Sequence, residues 1–180
     1  MHRLALIPLA ALVACGGSTT TSGRRDVTTV TVGGAEGGSL RIRNDYEATS
    51  AIIGLPIDKV WALLPEAFDT IGVAVTVRDP RQRLFGTDGV KVRQRIGGVP
   101  LSRFFDCGTT QVGANADSYE IFLTVMTQLK PAEGDFTTME VTVTARARPV
   151  AFSQGYSDCQ DKSTTLNERL FSVVRRLAVR

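Results

Sequence analysis

Apolar and polar residues alternate most regularly in two segments of the second half of the chain, 119–129 and 137–147. In the second segment, Met139, Val141 and Val143 occupy alternate positions, with polar residues between them. This period of two places the apolar side chains on one face of a β-strand. The connecting residues 130–135 include a proline and a glycine, which are typical of a turn. The pattern predicts a long β-hairpin with one buried face.

The last segment of the chain has apolar residues at helical spacing instead. Thr165 and Glu168 are three positions apart and match a capping box at a helix start. Arginines near the chain end suit the negative end of the helix dipole. We therefore predict a long amphipathic C-terminal helix. Its apolar stripe is Leu166, Leu170, Val173, Val174 and Leu177.

A second helix is predicted between Ile57 and Gly72. Pro56 suits the first turn of a helix, and the glycine is a common stop. Pro65 lies within the pattern and should kink this helix or divide it into two short ones. The apolar residues at helical spacing, among which Trp61 and Phe68 are expected in the core, are Val60, Trp61, Leu64, Phe68 and Ile71.

Shorter strands are predicted between this helix and the hairpin, over 73–77, 83–87 and 90–96. The order of strand, helix, antiparallel strands and long helix indicates an α+β fold. We expect an antiparallel sheet of about four to six strands, with the N-proximal helix and the long C-terminal helix packed on one face.

The N-terminal residues have the pattern of an export signal. A basic start is followed by an apolar run, 4–13, which is too short to cross a bilayer. Leu12-Val13-Ala14-Cys15 resembles the lipobox of bacterial lipoproteins, and the resemblance implies cleavage before Cys15 and attachment of lipid to that cysteine. The alternative is an ordinary signal peptide with an incidental cysteine.

The same resemblance implies a location and a domain organisation. A glycine directly after the cysteine, here Gly16, is similar to lipoproteins sent to the outer membrane, so we expect a lipid-anchored protein facing the periplasm. Residues 1–14 are then the signal, 15–38 the lipidated cysteine and a flexible Gly-, Ser- and Thr-rich tether, and 39–180 a single α+β domain. Within the tether, 27–32 has the β-branched character of a strand. No transmembrane helix is expected.

Two cysteines remain once Cys15 is assigned to lipid. An even pair in an exported protein predicts a disulfide, here between Cys107 and Cys159. The alternative is a reactive thiol at Cys107. Its neighbour Asp106 would disfavour the thiolate, and no histidine base is at hand.

Composition restricts the possible chemistry. The only histidine is His2, within the predicted signal, so catalysis or metal binding by histidine is not expected of the mature protein. A net charge of +3 is too small to indicate nucleic-acid binding. We predict no cofactor, no metal and no enzymatic activity. A hydrolase using two converging carboxylates, and a ligand loop at 108–117, are the alternatives.

Six basic residues fall in neighbouring predicted strands. They could form a face that contacts anionic headgroups, lipopolysaccharide or cell-wall polymer near the membrane. The alternative is an ordinary solvated face. The residues are Arg78, Arg81, Arg83, Lys91, Arg93 and Arg95.

One further resemblance covers residues 48–87. The run 52–64, Ile-Ile-Gly-Leu-Pro-Ile-Asp-Lys-Val-Trp-Ala-Leu-Leu, and then 70–75, Thr-Ile-Gly-Val-Ala-Val, resemble the repeated domains of the lipoprotein component C of the outer-membrane β-barrel assembly machinery. That likeness implies a small helix-grip fold. The opening Pro-x-Asp-Lys-Val-Trp is also similar to START-like helix-grip domains, which hold lipids between the sheet and the C-terminal helix.

Two functions follow as hypotheses. The first is a membrane-anchored, non-enzymatic module that binds an envelope protein or supports an assembly. The second is a carrier with a lipid or small molecule between the sheet and the C-terminal helix. A cavity lined by Leu166, Leu170 and Val174 would favour the carrier, and close packing there would favour the module.

Overall fold

The computed structural model of the chain describes residues 28–32, 38–42, 48–150, 155–162 and 165–180. The predicted signal, Cys15 and the side chain of Thr165 in the predicted capping box lie outside these residues. Strand β1 (Thr28–Val32) pairs with β2 (Gly38–Ile42) in a separate antiparallel hairpin. The strand-like segment of the predicted tether is therefore a strand.

The other elements follow from residue 48 onward. In chain order they are β3 (Thr49–Ile53), α1 (Ile57–Ile71), β4 (Val77–Asp79), β5 (Leu84–Arg93), β6 (Arg95–Ile96), β7 (Val99–Pro100), a 3-10 helix (Leu101–Arg103), β8 (Phe105–Asp106), β9 (Thr109–Thr110), β10 (Gly113–Ala114), α2 (Asn115–Ser118), β11 (Glu120–Pro131), β12 (Thr137–Arg148), β13 (Ser157–Asp158), β14 (Gln160–Asp161) and α3 (Thr165–Ala178).

An antiparallel sheet forms the centre of the fold, with neighbours in the order β4, β5, β11 and β12. The two short strands β3 and β13 both pair with the remaining edge of β12, near its opposite ends. The long hairpin β11–β12 is in register from Glu120 opposite Arg148 to Pro131 opposite Thr137. The hairpin predicted from the alternating pattern is confirmed.

Helices α1 and α3 pack against each other and against one face of this sheet. Their contact with the sheet includes an aromatic cluster in which the Phe85 ring meets Trp61 and Phe68 edge-on, with centroids 5.5 and 5.2 Å apart. The α+β fold with both helices on one face is thus confirmed. As predicted, Phe68 is buried in the core, and Trp61 packs against that core while partly buried.

The second face of the sheet carries the polar half of the alternating pattern. Along β12, Met139 and Val141 are buried, whereas Glu140 and Thr142 between them are only partly buried. Because successive side chains of a strand point to opposite sides, these polar residues face away from α1 and α3. We call this side of the sheet the open face.

Of the two effects predicted for Pro65, a kink or a division of the helix, the division is wrong, because α1 is continuous from Ile57 to Ile71. Pro65 lies on the exposed side of α1. The backbone carbonyl of Trp61, four residues earlier, loses an N–H partner there. Since this side of the helix is open to solvent, water can satisfy that carbonyl at little cost.

Two predicted strands also have different bounds. Of the segment 73–77, only Val77 lies in a strand, β4. The backbone N–H of Val73 bonds the Phe68 carbonyl at the end of α1, and that of Thr76 bonds the Gly86 carbonyl of β5. The segment 90–96 is broken at Gln94, which has a φ of 63° and accepts a bond from the Leu101 N–H. Residues 95–96 therefore leave the main sheet for a separate hairpin.

The predicted disulfide between Cys107 and Cys159 is confirmed. It attaches residues 155–162, which we call the C-terminal strap, to the segment before α2. The strap is also held by backbone bonds from Cys159 to Ala145 and from Lys162 to Phe104, both 2.8 Å. The disulfide and these bonds fix the strap beside the last residues of β12.

Candidate binding site

Charged and aromatic side chains form two adjacent rows across one end of the open face. Each row crosses β5, β11 and β12, and its members are directly opposite one another in the register. Directly opposed residues in antiparallel strands share a face and have Cβ atoms about 5 Å apart. The rows are Arg93, Glu120 and Arg148, and then Lys91, Phe122 and Arg146. Together with Tyr156 of the strap, we call them the open-face platform.

Glu120 is the centre of the platform, and only 11% of its side chain is exposed. Its Oε1 accepts hydrogen bonds from Arg148 Nη2 and from the Tyr156 hydroxyl, both 2.8 Å long. Lys91 Nζ lies 3.6 Å from the same oxygen, and Arg93 Nη2 lies 3.8 Å from Oε2. One carboxylate thus connects side chains from three strands and the strap.

This environment determines the protonation of both central groups. The hydrogen bond from Tyr156, with help from Arg148 and the charge of Lys91, lowers the pKa of Glu120 below its ordinary value, although desolvation opposes the shift. Desolvation and the bond to Glu120 raise the pKa of the Tyr156 hydroxyl. At neutral pH the pair is therefore a carboxylate with a neutral phenol donor.

The aromatic rings of Tyr156 and Phe122 pack near each other, and each has a cationic side chain close to it. The Tyr156 ring lies 4.6 Å from Phe122, between centroids. The Arg148 guanidinium lies 4.7 Å from the Tyr156 centroid, and Lys91 Nζ lies 5.4 Å from that of Phe122. Such stacking orients the cationic groups and holds them near the sheet. Arg146 forms an ion pair with Asp158 of the strap, with its Nε 3.2 Å from Asp158 Oδ1.

Three of the platform cations retain capacity for another anion. The side chains of Lys91, Arg93 and Arg146 are 57%, 57% and 56% exposed. The distances from Lys91 and Arg93 to Glu120 exceed those of good hydrogen bonds, so their N–H donors are largely left to solvent. Four cations face two carboxylates, Glu120 and Asp158, and the local charge is +2. The arrangement is suited to binding an anionic group.

The structure brings only two of the six predicted basic residues to this platform, Lys91 and Arg93. Arg83 is part of a different cluster, where its Nη2 lies 2.6 Å from Asp58 and its guanidinium lies 5.8 Å from the Trp61 centroid. That cluster joins the β4–β5 turn to the first turn of α1, away from the open face.

The remaining three predicted residues are also dispersed. The Arg78 guanidinium lies 6.0 Å from the centroid of Phe85, whose ring belongs to the helix-facing core. Arg81 is in the turn after β4, and Arg95 donates to the Gly98 carbonyl in the β6–β7 hairpin. Contact with an anionic surface stays a prediction, and the six residues do not form one continuous face.

Sequence reasoning missed most of the platform. Outward positions of the hairpin pattern mark Glu120 and Arg146 as candidates, since each is a charged residue on the polar side of a predicted strand. Arg148 lies one residue beyond the predicted segment 137–147, and only the structure extends β12 to include it. Pairing Glu120 with Arg148 requires the hairpin register. No local sequence pattern predicts that Tyr156 contacts Glu120, because the two residues are 36 positions apart in the chain.

The polar stretch 108–117 contains the β9–β10 hairpin and all of α2 except its last residue, Ser118. Its Asp117 carboxylate accepts bonds from the Ser102 backbone and hydroxyl, and the Asn115 amide donates to the Cys107 carbonyl. These groups connect neighbouring loops and support the disulfide.

The space beneath the C-terminal helix is filled. Leu166, Leu170 and Val174 have no exposed surface, which leaves no water-sized space against them. Among the residues that the structure describes, no group of three or more metal-ligating side chains is assembled. Within the same ranges, no helix has the length and apolar character needed to cross a bilayer.

We expect Glu120→Gln to destabilise the domain near neutral pH and to have a smaller effect in acid. The folded-state pKa of Glu120 is below its ordinary value of about 4.5, so its contribution is present above that value and is lost as the pH falls through the lowered one. Urea unfolding of both proteins across this pH range measures the difference.

Glu133→Gln is the matched control, because Glu133 is exposed in the hairpin turn. It should leave the unfolding free energy nearly unchanged at every pH. A Glu120→Gln effect that is the same at neutral and acid pH would show that the charge is not what matters. The chain matches no protein-family model and no curated protein sequence.

Proposed function

We propose that the protein is a lipid-anchored, non-enzymatic module of the cell envelope that docks a protein partner on its open-face platform. The observation that carries the proposal is the nearly buried Glu120, which holds Arg148 and Tyr156 in place while other cations stay exposed. Arg and Tyr, together with Trp, are enriched among the residues that dominate binding energy at protein interfaces. Their orientation here precedes any partner, which lowers the cost of binding.

A purely structural role explains this cluster less well. Ion pairs whose cations are partly or mostly exposed contribute little to stability, so stability alone is a weak reason for four cations to gather on this face. Filled packing beneath α3 supports a surface-binding module over a carrier. The Cys107–Cys159 bond is consistent with an oxidising compartment, which agrees with the export and lipidation proposed for Cys15.

The anchor has a physical purpose in this proposal. Two acyl chains hold a protein stably at a membrane, whereas one gives only marginal attachment. Confinement of the domain to the membrane surface raises its effective concentration toward partners in the same envelope. We place the module at the outer membrane, facing the periplasm, on the resemblance around Cys15 and Gly16.

Mass spectrometry of the detergent-extracted full chain tests the anchor. We expect a mature protein that begins at Cys15, carries acyl chains and contains the Cys107–Cys159 bond. Cys15→Ser should lose the acyl mass and leave the membrane fraction. A mature N-terminus at any other residue would contradict the anchor.

Photo-crosslinking in the producing cells tests the docking. A photoreactive amino acid at Thr144, in the open-face row next to the platform, should give a specific protein adduct. The matched position Asp69, exposed on α1, should not. The Thr144 adduct should disappear when Lys91, Arg93 and Arg146 are all replaced by glutamine. An adduct that forms equally from both positions, or that persists in the triple variant, would refute docking on this face.

A further inference from the structure

We infer that the open-face platform binds an acidic peptide segment, whose carboxylates pair with Lys91, Arg93 and Arg146. This inference depends on the proposed docking function and specifies the chemistry of the partner. Guanidinium groups bind carboxylates in bidentate geometry, and ammonium groups bind them as point charges. The platform supplies both kinds of donor at exposed positions.

The spacing of the cations fits an extended chain. Lys91 and Arg93 lie on β5, and Arg146 lies on β12, with Phe122 of β11 between them. Two strand spacings separate these flanks by about 10 Å. Side chains of an extended peptide alternate between opposite sides, so successive acidic residues over Phe122 can reach both flanks.

The platform is ordered before a ligand arrives. Glu120 already satisfies Arg148 and Tyr156, and the Tyr156 ring packs on Phe122. Glu120 therefore acts as a positioning residue, which leaves the more exposed cations for the ligand. Two of these cations are themselves partly oriented, because Lys91 lies 5.4 Å from the Phe122 centroid and Arg146 lies 5.9 Å from that of Tyr156. This reduces the side-chain entropy that they lose when a ligand binds.

The positive charge is local, which favours a peptide segment over an anionic bilayer. Elsewhere on the open face, Lys130 and Glu140 neutralise each other at 2.7 Å. Asp88 accepts a bond from the Thr124 hydroxyl at the rim of the same face. A flat anionic surface would meet these carboxylates as well as the platform, whereas a short segment meets the platform alone.

Fluorescence anisotropy with two labelled peptides tests the inference on the full chain in nonionic detergent. Hexaglutamate should bind, hexaglutamine should not, and added salt should weaken the binding because the contacts are ionic. The variant K91Q/R93Q/R146Q should bind hexaglutamate about tenfold or more weakly. The single variant R93Q should also weaken hexaglutamate binding, and it changes the fold less than the triple variant does.

The matched control is R81Q/R103Q/R175Q, which removes the same charge from exposed positions off the platform. It should retain hexaglutamate affinity within about twofold. Equal weakening in both triple variants would show nonspecific attraction and overturn the inference. Platform-dependent binding to phosphatidylglycerol vesicles without binding to hexaglutamate would also overturn it, in favour of a lipid surface.

The two proposals fail separately. If hexaglutamate does not bind but the Thr144 adduct still depends on the platform cations, the acidic ligand is wrong and docking stands. If the Thr144 adduct is absent while hexaglutamate binds through the platform, the acidic specificity stands and the protein-docking function is wrong.

Discussion

Replacement of both disulfide cysteines, Cys107→Ser with Cys159→Ser, should lower the free energy of unfolding by about 4 kcal/mol. The bond closes a loop with a sequence separation of 52, and its loss restores that freedom to the unfolded chain. A loss of this size is a large part of the total stability of a typical domain. Urea unfolding of the oxidised protein and the double variant, followed by circular dichroism, measures it.

The double variant should also weaken the platform before the domain unfolds. The disulfide fixes the C-terminal strap at Cys159, three residues from Tyr156. Hexaglutamate binding should therefore fall under conditions in which the variant is still folded. Wild-type protein reduced by dithiothreitol should behave like the double variant, and Cys15→Ser should keep the wild-type unfolding free energy. A loss below about 1 kcal/mol would mean that the remaining contacts hold the strap without the bond.

Phe85→Ala should lower the free energy of unfolding by about 3–5 kcal/mol. The Phe85 side chain is 2% exposed and joins the sheet to α1 through edge contacts with Trp61 and Phe68. Truncation removes apolar burial and leaves a cavity that the surrounding rings fill only in part. Urea unfolding measured by Trp61 fluorescence reports on this site directly.

Phe136→Ala is the matched control for this prediction. Phe136 is 51% exposed in the turn of the long hairpin, so its truncation should change the unfolding free energy by no more than about 0.5 kcal/mol. If Phe85→Ala does not fold, Phe85→Leu keeps most of the apolar volume and should be intermediate. Equal effects at Phe85 and Phe136 would contradict the role of the aromatic cluster.

The elements that sequence reasoning predicted well have a strong local signal. The hairpin β11–β12 and helix α3 each carry a regular period over more than ten residues. A buried face imposes that period on the sequence, so the element can be inferred without its neighbours. The disulfide was predictable from the number of cysteines. The sequence has three, and once Cys15 is assigned to lipid, two remain to pair with each other.

The predictions that failed concern places where tertiary contacts override a local rule. Pro65 is tolerated in α1 because its side of the helix is exposed. Gln94 interrupts an alternating run because its left-handed backbone turns the chain toward β7. In the β6–β7 turn that follows, the backbone at Gly97 packs so closely on the end of α1 that only glycine fits. A Cβ at this position would lie 2.5 Å from the Ile71 carbonyl oxygen. None of these features follows from hydrophobic spacing.

For the platform too, the sequence predicts the types of residue on the open face, whereas tertiary structure decides which of them meet. Charged and aromatic residue types at outward strand positions are visible in the sequence, and they predict a polar face. Which of them meet depends on the register of β5 against β11 and β11 against β12. A shift of one residue in either pairing would send Glu120 to the opposite face from its partners. The six predicted basic residues were close in sequence, and only Lys91 and Arg93 share this surface.

The sequence alone was enough to derive the fold class, the principal hairpin, the C-terminal helix and the cysteine pairing. It also located α1, but not the continuity of that helix through Pro65. The secondary-structure elements follow from hydrophobic periods that are visible over a few neighbouring residues, and the disulfide follows from the number of cysteines. The binding surface could not be derived, because Lys91, Glu120, Arg148 and Tyr156 converge only after the strands have paired and the disulfide has fixed the strap. Long-range pairing selects among many combinations of similar local patterns, so the site exists only in the folded chain.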